Sequence, residues 1–81
     1  MSEPLEAEIT KLVAEILELQ PDSVAPDAEF VADLGADSMS ALELMVAVEK
    51  KYGIVIEPEH LPEMLSVRHV TALVGRLLHG E

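Results

Sequence analysis

The stretch Phe30-Val-Ala-Asp-Leu-Gly-Ala-Asp-Ser-Met-Ser-Ala-Leu-Glu-Leu-Met-Val-Ala-Val-Glu-Lys-Lys-Tyr-Gly-Ile54 decides the fold. Residues 38–52 hold no proline or glycine. When each is turned by about 100° from the last, Ala41, Leu44, Met45, Val48 and Tyr52 cluster on one arc. The spacing predicts a helix over 38–52 with that arc toward a core. Asp37 or Ser38 is placed to cap its start, and Gly53 stands where a left-handed residue ends a helix. Met39, Leu42 and Val46 form a second apolar strip. Glu49 separates it from the first, and Glu43 and Lys50 border its far side.

Upstream, Leu5, Ile9, Leu12, Val13, Ile16 and Leu19 draw one helical stripe. Ser2 is placed to cap this first helix, Pro4 falls in its first turn, and Pro21 stops it just past Gln20. Residues 21–37 carry two prolines, five acids and no base, which predicts a long connection with Phe30, Val31 and Leu34 folded inward. A loop of that length in a small domain is functional or holds a helical turn of its own.

Downstream, Ile54, Val55 and Ile56 are too few for an independent strand and read as an extended connector buried against the bundle. Pro58 opens a short third helix over about Glu59–Leu65, which Pro62 limits. Ser66 caps a last helix marked by Val70, Leu73, Val74, Leu77 and Leu78, with Gly80 after it. The fold class expected is all-α: a small four-helix bundle of three long helices and one short third helix, with a long first loop, as one domain over 1–81.

Composition narrows the function. Sixteen acidic against five basic residues give a net charge of −11, which repels nucleic acid and anionic membrane surfaces and suits basic protein partners. With Phe30 and Tyr52 the sole aromatics, an aromatic-lined substrate pocket is hard to build. The absence of cysteine excludes a disulfide scaffold and a cysteine nucleophile. Glu3, Glu6 and Glu8 stand where a targeting peptide would be basic, and no apolar run reaches membrane-span length, so a cytoplasmic, monomeric protein is expected. His60, His69 and His79 lack metal-pair spacing, the loop acids lack the order of a calcium site, and nothing brings a histidine to Ser38. No metal site and no catalytic residue is expected.

By residue chemistry alone, Asp37-Ser38 reads as an ordinary capped helix start. The pattern Phe30, Asp33-Leu34-Gly35, Asp37-Ser38-Met39, Glu43-Leu44, Glu49, Tyr52-Gly53 nevertheless resembles the heart of acyl carrier proteins, and the order of elements resembles that family over nearly the whole chain. The resemblance implies a non-catalytic carrier. Its Ser38, beside Asp37, would accept 4'-phosphopantetheine from coenzyme A as a phosphodiester, through a separate magnesium-dependent phosphopantetheinyl transferase. A helix N-terminus tolerates such an anion, and the arm's thiol would let a chain without cysteine hold thioesters. Met39, Leu42, Glu43, Val46 and Glu49 would then dock acyl-handling synthases and transferases through their basic patches.

Met39 replaces the family's usual leucine, Ser40 stands where an acid is frequent, and Lys50-Lys51 follow Glu49 where acids are common. These departures weigh against a housekeeping role and fit a dedicated carrier for polyketide or specialised lipid synthesis, within a family whose carriers serve fatty acid, polyketide or specialised lipid biosynthesis. Leu34-Gly35-Ala36-Asp37-Ser38 differs from the Leu-Gly-Gly-x-Ser of aminoacyl or peptidyl carriers, an alternative that stays open. An unmodified acidic adaptor is the other.

Overall fold

The computed structural model describes residues 4–80. Helix α1 runs Leu5–Leu17, α2 Ser38–Tyr52 and α3 Val67–Leu78, with a 3₁₀ turn at Pro21–Ser23 and a 3₁₀ helix at Pro58–Glu63. The expected all-α bundle stands, and its second helix has the bounds read from sequence. No strand occurs among the described residues.

Helix α1 differs from expectation at both ends. Pro4 is the residue before the helix, not a member of its first turn, and it offers no side-chain cap. The cap expected from Ser2 lies outside the described residues. Glu6 and Glu8 in the first turn complement the positive end of the helix dipole. The far end comes at Leu17, short of Gln20, because Glu18 turns left-handed at φ 58°. Leu19 then donates its N–H back to the Ala14 carbonyl at 2.8 Å, closing the last turn. Pro21 opens the 3₁₀ turn instead of stopping the helix.

The third helix is 3₁₀, not α, and spans Pro58–Glu63 rather than Glu59–Leu65. Pro58 and Pro62 each remove an N–H, so a regular α-helical ladder cannot form over so few residues. At α3 the expected cap is present. Ser66 is buried, accepts the His69 N–H, and shares a 2.7 Å hydrogen bond with the His69 ring.

The core is aliphatic. Ile9 and Val13 of α1, Leu44 and Val48 of α2, and Val70 and Leu73 of α3 are all buried. With one buried aromatic, close packing rests on branched side chains of few rotamers. A hydrogen bond from the Tyr52 hydroxyl to Glu8 Oε1 (2.8 Å) ties the end of α2 to the start of α1. Burial first, and the Glu8 carboxylate second, push the Tyr52 phenol well above its ordinary pKa, so it stays a donor at any physiological pH.

Both apolar connectors split between inside and outside. Phe30 is 4% exposed and Leu34 packs against the core, whereas Val31, expected inward, is 69% exposed. The backbone explains this: the Phe30 N–H is fixed to the Leu65 carbonyl and the Phe30 carbonyl to the Ala36 N–H, both at 2.8 Å, so the next side chain points away. In the connector after α2, Ile54 and Ile56 pack inward while Val55 points out, the alternation of extended backbone.

Truncating Phe30 to alanine should therefore cost about 3–5 kcal/mol by transfer and cavity terms. Val31→Ala should stay within about 0.5 kcal/mol. Urea unfolding of the two variants checks this, and comparable losses would contradict the placement of the loop.

Candidate functional site

Ser38 is the first residue of α2 and is exposed. The cap is Asp37, whose Oδ1 accepts the Ser40 N–H at 2.9 Å, so of the two candidates the acid holds the helix start and the serine is released from that task. The Ser38 hydroxyl makes no hydrogen bond within the described residues. The chain reaches this point through Gly35, whose φ of 73° suits glycine although nothing lies near the place of a side chain.

The Ser40 backbone N–H, and then its hydroxyl, hold the Asp37 carboxyl below the usual carboxylate range. A depressed acid stabilises the fold above its unfolded pKa and loses that contribution as pH falls through the folded value. The cap is thus fully formed at neutral pH. Asp37 is fully exposed, which keeps its effect small.

The strip read from sequence is on the surface. Met39 is 66% exposed, Leu42 46% and Val46 42%, and with Glu43, Ala47 and Lys50 they line an open groove of about 430 Å³. Ala47 was not expected in it. Its small side chain lowers the wall between Glu43 and Lys50, a detail that apolar periodicity does not flag.

Glu49 is placed differently from the other site residues. Its Oε2 accepts the Ile56 N–H at 2.7 Å, and its own carbonyl accepts from Gly53 and Ile54. One carboxylate oxygen is therefore committed to holding the connector after α2. Local sequence carries no signal for this bond, because it depends on how the chain returns after the left-handed Gly53.

On the inner side of the Ser38 turn, Ser40, Ala41 and Leu44 meet Val13, Ile16, Leu17, Phe30 and Ala36 around a void of about 10 Å³, room for no more than one water. No group of three or more histidine, aspartate or glutamate side chains among the described residues could hold a metal ion.

A sequence profile described as phosphopantetheine attachment site matches residues 7–77. The chain belongs to that family, the acyl carrier proteins. It is 36% identical over 70 residues to an acyl carrier protein of Campylobacter hominis, covering 86% of this chain and 89% of the relative. It is 39% identical over 67 residues to one from Helicobacter pylori, covering 83% and 86%. A meromycolate extension acyl carrier protein of Mycobacterium bovis is 35% identical over 75 residues, 93% of this chain and 65% of the relative. This carrier is thus non-catalytic, and its prosthetic group is covalent 4'-phosphopantetheine. The geometry of the Ser38 turn fits the group: an exposed hydroxyl without an internal partner, at a helix N-terminus that favours an anion. Among the described residues, no helix is long and apolar enough to cross a membrane.

The Glu49 bond generates an expected outcome. Glu49→Ala leaves the Ile56 N–H without its acceptor and should cost about 1–2 kcal/mol, with faster amide exchange at Ile56. Glu49→Gln keeps an acceptor oxygen and should recover most of the loss. Unchanged exchange in the alanine variant would show that the carboxylate does not hold the connector.

Proposed function

We propose that Ser38 is the residue that carries 4'-phosphopantetheine, and that this chain ferries acyl intermediates as thioesters on the arm's thiol. The observation that carries the reading is the free, exposed hydroxyl of Ser38 at the first position of α2, in an Asp-Ser pair whose aspartate already serves as the cap. Because capping does not depend on Ser38, its oxygen can be esterified without loosening the helix. A phosphodiester there meets the N-terminal dipole and remains in water.

The groove beside it supports the partner reading. Met39, Leu42 and Val46 give apolar contact area and Glu43 is the carboxylate that lines it, whereas Glu49 lies outside that lining with one oxygen holding the Ile56 N–H. We assign this face to the phosphopantetheinyl transferase and to acyl-handling synthases and transferases with basic patches, in a cytoplasmic setting. Cargo in fatty acid, polyketide or specialised lipid synthesis fits the acyl side of the family. The Mycobacterium bovis relative's name, which speaks of meromycolate extension, supports the specialised branch.

Incubation with coenzyme A and a broad-specificity transferase should add one arm to the chain. Ser38→Ala should abolish the mass increase with stability unchanged within about 0.5 kcal/mol, since Asp37 keeps the cap. Glu43→Lys should slow loading at low carrier concentration, less so as salt rises, because rim charges act on encounter. Modification persisting in Ser38→Ala overturns the assignment.

A further inference from the structure

We propose that the cognate partner of the α2 groove is bipolar: it carries a basic residue toward the Ser38 end and an acidic residue about 10 Å further along. The proposal rests on the reading of α2 as the docking face and names the chemistry of what docks there.

Glu43 and Lys50 stand seven residues apart. That separation is two turns, about 10 Å of rise, and returns to within about 20° of the same azimuth. Both therefore flank one seam, with Val46 and Ala47 between them along the groove and Leu42 just before Glu43, and they are too far apart to neutralise each other. Asp37, the cap of α2, adds negative charge at the same end of the helix as Glu43.

Lys50 is singled out by its lack of a partner. Of the five lysines and arginines, Arg68 pairs with Asp27, Arg76 pairs with Glu63, Lys51 lies over the Tyr52 ring at 5.9 Å, and Lys11 also has an interaction. Lys50 is the one cation with none among the described residues. Both lysines complement the negative end of the helix dipole, which accounts for basic residues in this turn. It does not account for one of them lining the groove. A wholly basic partner surface would meet Lys50 as like charge, whereas an acid there would pair with it. The lysine thereby selects among partners by repulsion as well as attraction.

The test uses the full chain and two synthetic helical peptides with the same apolar seam. One has arginines at both ends of the seam, and the other has arginine at one end and glutamate at the other. Dissociation constants are measured by NMR titration at low salt for wild type, Lys50→Glu and Leu42→Asp. The bipolar peptide should bind wild type about threefold tighter than the all-basic one, the scale of one exposed ion pair. The order should invert in Lys50→Glu, and Leu42→Asp should weaken both. If the all-basic peptide binds wild type as tightly or better while Leu42→Asp still weakens it, the bipolar partner is wrong and the docking face stands. If neither peptide binds, or Leu42→Asp has no effect, the docking face itself is overturned, and the bipolar partner with it.

Discussion

Phe30 fixes the long loop that runs from the 3₁₀ turn at Pro21–Ser23 to α2. Its ring is the sole aromatic in the buried core, its N–H is held by Leu65, and its carbonyl holds Ala36. A second backbone bond, from Arg68 to Pro26, lies nearby, so the long loop is tied to the start of α3 at two points. The exposed Arg68–Asp27 ion pair spans the same junction but adds little. From Ala36 the chain has only to pass Asp37 to begin α2. Ser38 is held in space by α2 itself, whose Leu44 and Val48 are buried, and the Phe30 anchor fixes the course of the loop that leads into it.

Helix α2 serves two surfaces at once. Leu44 and Val48 are locked into an aliphatic core, while Met39, Leu42 and Val46 stay in water as an exposed apolar strip. Glu49 sits at the seam between these duties, bonded to the connector on one oxygen. The division of labour at the N-terminus is of the same kind: Asp37 satisfies the backbone, which leaves the neighbouring Ser38 hydroxyl exposed and without a hydrogen bond among the described residues.

Much of this was legible in the amino-acid order. The second helix has local signals at both ends, an aspartate cap and a left-handed glycine, and its bounds match the structure. The last helix had Ser66. The first helix ends earlier than its apolar stripe because Glu18 takes a left-handed conformation that side-chain identity does not announce, and Pro21 marks the 3₁₀ turn rather than the helix end. Val31 is exposed despite its apolar side chain for a different reason. Apolar character alone cannot tell which of two adjacent residues faces inward when backbone bonds from a distant segment choose the rotation. The third helix was placed by its prolines, yet those same prolines made it 3₁₀. At the site, periodicity separated the buried arc from the exposed strip, but the tie between Glu49 and Ile56 is tertiary and left no trace in the sequence.

The central claim is that the free hydroxyl at the start of α2 is where this carrier receives its prosthetic group. The most direct test is the intact mass of the chain isolated from its own cells, with fragmentation to locate any added group. The account predicts one phosphopantetheine, on Ser38, with part of the pool bearing an acyl group on its thiol. A chain that is unmodified in every growth condition, or modified at another residue, would contradict it.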